Sequence, residues 1–435
     1  MLRYAMKNLK DWKTQKNRKP LLIRGARQVG KTWLMREFGR TCFEKVAYIN
    51  FDNNERMASL FQGDLDINRL VTALQIESGV VITPSDTLLI FDEIQEVPRA
   101  LTSLKYFNEN APEYSIVAAG SMLGVALHRG TSFPVGKVDF LNLYPMTFTE
   151  FLEATGNGSL AELLRTRDFS LITAFKGKYI DLLKKYYYVG GMPEVVASFV
   201  QQEDYGEARR IQMRLVEAYE QDFSKHAPNE TVPRIRMLWN SVPAQLAKEN
   251  RKFIYGLIRQ GARAKEFELA MQWLLDCGLI HRVCRITKPD MPLMAYKEQS
   301  SFKIYMADVG LLAAKSGLDL KSLLEGNRIF EEFKGALTEQ YVHQQLLADA
   351  GIAPCYWKAD RAAAEVDFVF QYGQDIVPLE VKAEENLKAK SLKKYCERYS
   401  PRHAVRTSMS DYRKEDWLIN VPLYAIGIIK ELPDD

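Results

Sequence analysis

The stretch Gly25-Ala26-Arg27-Gln28-Val29-Gly30-Lys31-Thr32 places two glycines, a lysine and a hydroxyl at a fixed spacing. Glycines let neighbouring backbone N–H groups turn toward one point, and the lysine and threonine add a positive charge and a metal-ligating oxygen. This combination suits a polyphosphate. An apolar strand, Leu21-Leu22-Ile23, precedes the loop and a helical pattern from Trp33 to Phe38 follows it. That is the context in which G-x-x-x-x-G-K-T spacing carries meaning. The loop from Gly25 to Thr32 is therefore expected to bind ATP, with Lys31 bridging the β- and γ-phosphates, Thr32 ligating Mg²⁺ and the helix N-terminus adding positive potential.

Such a site needs an acid at the tip of an apolar strand, and Leu88-Leu89-Ile90-Phe91-Asp92-Glu93 supplies two. Asp92 is expected to hold Mg²⁺ and Glu93 to polarise the attacking water. A further strand ends in Ala119-Gly120-Ser121, where the Ser121 hydroxyl would reach the γ-phosphate or the water, although a serine after glycine also caps a following helix. Arg129 and Lys137 are cationic candidates for a finger, with no spacing that singles out either.

A second constellation lies near the C-terminal end of the sequence. Glu365-Val366-Asp367-Phe368-Val369-Phe370 alternates so that Glu365 and Asp367 share one strand face, and Leu379-Glu380-Val381-Lys382-Ala383 does the same with Glu380 and Lys382. Asp367, Glu380 and Lys382 would then stand side by side. Carboxylates with a lysine can hold Mg²⁺ and activate water for phosphodiester cleavage, with Asp367 and Glu380 as the metal ligands. This is the D-x(n)-E-x-K pattern of the PD-(D/E)XK nuclease fold, which also sets an acid on the preceding helix, the place of Glu339. The plainer alternatives are a cross-strand salt bridge to Lys382 and a degenerate nuclease fold that only holds DNA or a partner.

The elements that must position these residues form an α/β chain. Strands at Leu21–Ile23, Val46–Ile49, Leu88–Phe91 and Ile116–Ala119 alternate with helical patterns at Trp33–Phe38, Ile67–Ile76 and Arg99–Asn108, which reads as a parallel sheet with crossover helices. Residues 1–150 are expected to be a P-loop, AAA+-like ATPase core, 151–250 a helical extension, 251–325 a winged-helix segment, and 326–435 a restriction-endonuclease-like α/β domain. The strand between the loop strand and the Asp-Glu strand, followed by a polar sensor, points to the AAA+ branch.

Bulk composition narrows the partners. The chain has 435 residues, too many for one core, and a net charge of +4, too mild to argue for nucleic acid by itself. Basic residues concentrate from Arg3 to Lys19 and from Lys388 to Arg406, stretches that solvated helix faces would also explain. No apolar run approaches the roughly 18 residues needed to cross a bilayer, and the N-terminal residues lack a secretory h-region. Five scattered cysteines without a C-x-x-C pair suggest neither disulfides nor zinc. A cytoplasmic location is expected, with no membrane partner.

Together the motifs resemble those of prokaryotic ATPases that pair an AAA-type domain with a C-terminal DUF4143 domain. The resemblance rests on Ile23 to Thr32, Phe91-Asp92-Glu93-Ile94-Gln95, Ala119-Gly120-Ser121, Leu143 to Phe151, Gly190-Gly191-Met192-Pro193-Glu194, Asp276 to Ile280, Lys303 to Leu312 and the Glu365–Lys382 block. It implies an ATPase joined to winged-helix-like and nuclease-like parts. Relatives tend to carry arginine in the step that reads Gly136-Lys137-Val138 here, and a lysine offers a point charge rather than a guanidinium fork. The expected function is ATP binding and hydrolysis coupled to engagement of DNA, with metal-dependent cleavage as an added activity. The alternative is a nucleotide-switched protein-interaction module, and homo-oligomers are compatible with either.

Overall fold

The structure, a computed structural model, describes residues 1–120, 133–248, 252–321, 331–359, 364–385 and 389–431. The chain divides into two compact units. One comprises Arg3–Tyr144 and Asp276–Gly278, and the other Met1–Leu2, Pro145–Leu275 and Leu279–Asp435.

In the first unit α1 (Ala5–Thr14) leads into β1 (Leu21–Arg24), α2 (Lys31–Cys42), β2 (Lys45–Asn50), α3 (Glu55–Gln62), α4 (Ile67–Ser78), β3 (Thr87–Asp92), α5 (Pro98–Asn110), β4 (Ser115–Ala119) and β5 (Asp139–Asn142). The five strands are parallel in the order β2-β3-β4-β1-β5. Every residue of β3 and β4 is buried, as aliphatic runs covered by helices on both faces require. Because β1 and β3 both run parallel to the β4 strand between them, the loop after β1 and the acids ending β3 emerge on the same edge of the sheet. A fifth strand was not evident in the sequence, since Asp139-Phe140-Leu141-Asn142 is half polar and alternates in burial, as suits an edge strand. Phe51, Phe61, Phe91 and Phe107 interlock edge-to-face in the core, with centroids 5.5 to 6.4 Å apart.

The basic N-terminal stretch is not simply a solvated face. Arg3 is buried, and its guanidinium donates to the carbonyls of Val29 (2.8 Å) and Tyr144 (2.6 Å), tying the N-terminal segment to the back of the phosphate-loop region. Arg18 donates to Ser115 Oγ and Lys19 to the Gly136 carbonyl.

The second unit begins helically, through Phe148–Ala154, Lys176–Val189, Pro193–Gln202, Tyr205–His226 and Val232–Leu246 among others. It ends in an eight-stranded mixed sheet made of β6 (Ile280–Ile286), β7 (Lys297–Met306), β8 (Cys355–Lys358), β9 (Glu365–Tyr372), β10 (Asp375–Val381), β11 (Val405–Ser408), β12 (Arg413–Lys414) and β13 (Ile419–Pro422). The order is β12-β13-β11-β10-β9-β8-β6-β7. The β6–β7 hairpin, expected as the wing of a segment over 251–325, continues through parallel β6–β8 pairing into the sheet of the last hundred residues. β8 pairs with the Arg285–Ile286 end of β6, while β7 forms the edge of the sheet.

Several motif residues act as fasteners inside this unit. The Asp308 carboxylate accepts from the Leu311 amide, capping the helix Val309–Lys315, and from the Gly191 amide at 2.6 Å. Gly190 has φ of +73°, and a Cβ there would lie 2.2 Å from Asp308 Oδ1. The helix Glu331–Ala348 carries buried glutamines: Gln340 bonds the Met306 backbone on both sides, Gln344 accepts from the Val309 amide, and Gln345 from the Phe148 amide. Among the described residues no helix is long and apolar enough to cross a membrane.

Candidate functional site

The phosphate loop leaves β1 and enters α2. Gly25 has φ of +154°, and a Cβ there would stand 2.1 Å from the Leu143 carbonyl oxygen, so only glycine fits. Gln28 and Gly30 are left-handed, at φ of 65° and 92°, and Gly30 is the N-cap of α2. These turns bring the loop amides round to the helix N-terminus, where an anion is favoured.

Lys31, the first residue of α2, is buried and folds back so that Nζ donates to the carbonyls of Gly25 (2.9 Å) and Ala26 (2.8 Å). Burial pushes its ammonium down to about 8, partly offset by Glu93 and Asp92 and reinforced by Arg27. A buried cation resting on two carbonyls holds its charge where a phosphate can take it over.

Thr32 Oγ1 donates to Asp92 Oδ2 at 2.8 Å, and Tyr48 OH donates to the same oxygen at 2.8 Å. Asp92 Oδ1 accepts from the Glu93 amide at 3.1 Å. Arg36 lies 3.9 Å from the Tyr48 ring centroid, and the phenol is raised, first by burial and then by its bond to Asp92. Glu93 occupies the left-handed region at φ of 51°, a costly conformation for a non-glycine residue. Gln95 Nε2 holds its Oε2 at 2.7 Å. The structure thus gathers Lys31, Thr32, Asp92 and Glu93 at one edge of the parallel sheet. Thr32 and Asp92 are hard oxygen donors of the kind Mg²⁺ takes. Tyr48 was not legible in the sequence, because its role depends on β2 lying beside β3 in register Tyr48↔Ile90. Ser121 and Arg129 lie outside the described residues. Lys137 is ion-paired to Glu109 at 2.9 Å.

The C-terminal constellation assembles around a residue absent from the sequence-based site. Lys303, on β7, is buried, with Nζ 2.7 Å from Glu365 Oε1, 3.7 Å from Glu339 Oε2 and 4.0 Å from Asp367 Oδ1. Glu339 Oε2 also accepts from Tyr305 OH at 3.0 Å, and Tyr305 stacks on His343 at 4.5 Å. Asp367 Oδ2 accepts from the Val381 amide, and Lys382 is ion-paired to Glu380 at 2.7 Å. The four predicted residues are thus neighbours, but a lysine ammonium stands among the carboxylates. Among the described residues no group of three or more His, Cys, Asp or Glu side chains is arranged to hold a metal ion, and the charge beside Asp367 is the Lys303 ammonium. The signal available in the sequence was Phe302-Lys303-Ile304-Tyr305, a lysine inside an otherwise apolar strand.

Burial, with Asp367 nearby, raises the Glu380 carboxyl to about 7 against the opposing pull of Lys382 and Lys303. A carboxyl whose folded pKa lies above its unfolded value stabilises the fold fully below the unfolded pKa, near 4.5, and loses that contribution as pH rises through about 7. The Glu380→Gln variant is expected to flatten this dependence between pH 4.5 and 7, a differential on the order of 3 kcal/mol, readable by denaturant unfolding at several pH values.

Residues 17–152 match the profile of an AAA domain, 334–426 that of DUF4143, a domain of unknown function, and 180–322 that of a second domain of unknown function, DUF8612. The DUF8612 match spans the helices and the β6–β7 hairpin without a break. No curated protein matches the sequence. Among solved structures, the Walker-type ATPase PABY2304 of Pyrococcus abyssi is similar at 15% identity over 72% of this chain and 94% of that one, with a TM-score of 0.44. The Orc1 protein of Aeropyrum pernix, solved in complex with DNA, is 14% identical over 73% and 93%, with a TM-score of 0.28. Cdc6p of Pyrobaculum aerophilum is 11% identical over 75% and 95%, with a TM-score of 0.25.

Proposed function

We propose that this chain, which joins an AAA domain to a DUF4143 domain, hydrolyses ATP and uses its nucleotide state to govern engagement of DNA by the second unit, without cutting it. The observation that carries the hydrolytic part is the Asp92 carboxylate shared by Thr32 and Tyr48, with buried Lys31 on the same loop. The amides from Gly25 to Thr32, including those of Ala26, Arg27, Gln28, Val29 and Gly30, would receive the phosphates and Lys31 would meet the β- and γ-oxygens. Thr32 and Asp92 would hold Mg²⁺, which neutralises phosphate charge when bound. Glu93, held by Gln95, would orient and deprotonate the attacking water. Ser121 completes the proposed set as a polar sensor.

DNA engagement draws support from the amphipathic helix Lys390–Tyr399. Leu392 and Tyr395 point into the unit while Lys390, Lys393, Lys394 and Arg398 are exposed along one stripe. Not all of the basic stretch belongs to it: Arg406 is buried and donates to Asn420 Oδ1.

The position of Lys303 favours binding over cleavage. An ammonium among Glu339, Glu365 and Asp367 supplies the positive charge that a catalytic cation would otherwise bring. This reading treats the nuclease-like end as inactive, as in a nucleotide-switched interaction module, while keeping DNA as the partner.

Lys31→Ala is expected to lower ATP turnover by at least about 100-fold and to abolish measurable ATP binding, read by phosphate release and by calorimetric titration. Wild-type turnover in that variant would sink the ATPase assignment. DNA binding that is absent at low salt in every nucleotide state would redirect the second unit to a protein partner.

A further inference from the structure

The helix Val232–Leu246 and the helix Ala264–Asp276 both begin at one cavity of about 390 Å³. Its lining is Thr231, Arg234, Arg263, Lys265, Glu266 and Leu269. Thr231 and Arg234 come from the first turn of one helix and its N-cap. Arg263, Lys265 and Glu266 come from the start of the other. The first turn of each helix has little backbone donor capacity left for a ligand, because the Val232 amide bonds the Pro228 carbonyl, Pro233 has no N–H and the Glu266 amide bonds the Arg263 carbonyl.

What the cavity offers an anion is side-chain charge. Three cations line the cavity against one carboxylate, and that carboxylate, Glu266, is already ion-paired to Arg259 at 2.5 Å. Among the described residues neither Arg234, Arg263 nor Lys265 has an acidic partner, unlike Arg210, which is ion-paired to Glu207. The Thr231 side chain makes no capping bond to its helix. Leu269, at the rim, is 72% exposed.

We propose that this cavity is a phosphate-binding site for the backbone of duplex DNA, with Arg234, Arg263 and Lys265 as the cations that hold it. The proposal rests on the reading that the second unit engages DNA, and it names where. Guanidinium forks from Arg234 and Arg263 suit the paired oxygens of a phosphodiester, and Lys265 adds a point charge. A separate basic surface exists on the helix Lys390–Tyr399.

The test is fluorescence anisotropy with a labelled 20-base-pair duplex and the full chain, over a series of salt concentrations. The variants are the triple Arg234→Ala, Arg263→Ala, Lys265→Ala and a charge-preserving triple, Arg234→Lys, Arg263→Lys, Lys265→Arg. Removing three phosphate contacts should reduce the salt slope of log affinity by about 2 to 3 and weaken binding at low salt at least tenfold, while the charge-preserving triple keeps most of both. All three side chains are exposed, so the melting midpoint should not move. Wild-type affinity and slope in the alanine triple would overturn the cavity as the site and leave DNA engagement standing. No binding of the duplex by the wild-type chain at low salt would overturn both.

Discussion

Replacing Glu93 by glutamine is expected to cut ATP hydrolysis by about 10² to 10⁴-fold while ATP remains bound, the range general-base catalysis commonly supplies. The reason lies in the local backbone. Asp92 ends β3, accepts the Glu93 amide, and leaves Glu93 in a left-handed turn that the following residues then fix. Glutamine keeps the shape and the hydrogen-bonding capacity toward Gln95 but cannot accept a proton from water. Binding should survive because the phosphates are held by the loop amides and Lys31. The check is single-turnover hydrolysis beside equilibrium binding of ATP. Turnover at the wild-type rate would show that another group activates the water. Loss of binding together with turnover would mean that Glu93 shapes the loop instead, through its effect on Lys31, whose charge it supports.

Replacing Lys303 by methionine should destabilise the second unit by about 3 to 5 kcal/mol, the cost of leaving buried charge without its partner. Methionine matches the length of the lysine stem, so little volume is lost, while the cation 5.0 Å from the Tyr356 ring centroid goes with the charge. What is lost is the ammonium, leaving Glu339, Glu365 and Asp367 facing one another. Lys358, on Glu365 at 3.2 Å, compensates only at one side. Denaturant unfolding followed by tryptophan fluorescence reads the change. A loss below about 1 kcal/mol would show that the cluster is hydrated and that Lys303 is not its main counter-charge. Adding Glu339→Gln to Lys303→Met should recover part of the loss, a coupling that a purely steric effect would not show.

The two sites differ in how much of them the sequence made legible, and the difference is physical. The phosphate loop is local. Gly25 to Thr32 is contiguous, its glycine positions follow from backbone conformation, and the flanking strand and helix are read from neighbouring residues. Asp92 and Glu93 could be assigned because they end an aliphatic strand. The acidic cluster is not local. Lys303, Glu339, Glu365 and Asp367 come from β7, a helix and β9, and their meeting depends on the pairing of β6 with β8. Period-two alternation in β9 and β10 located the carboxylates on one face, yet alternation contains no information about what a third strand brings to that face.

The family motifs tell the same story from the structural side. Gly190-Gly191 and Asp308-Val309-Gly310 are far apart in the chain, and only folding shows that one glycine pair exists to let Asp308 reach the backbone. The buried glutamines of Glu331–Ala348 gave no period to read, because polar side chains that satisfy backbone groups in the interior look like surface residues in a hydropathy pattern. Likewise Arg3 and Arg406 counted as surface charge in the sequence and are buried in the fold.

By itself, then, the sequence determined the chemistry that contiguous residues can carry: a phosphate loop on a strand-to-helix turn, an acidic pair at a strand tip, and a parallel layer to hold them. Only the tertiary structure decided that an edge strand, β5, lies beside β1, that Tyr48 joins Thr32 on Asp92, and that a lysine sits among the C-terminal carboxylates. The reason is that backbone conformation is set by near neighbours, whereas the charge balance of a buried site is set by whichever side chains distant segments bring within a few ångströms.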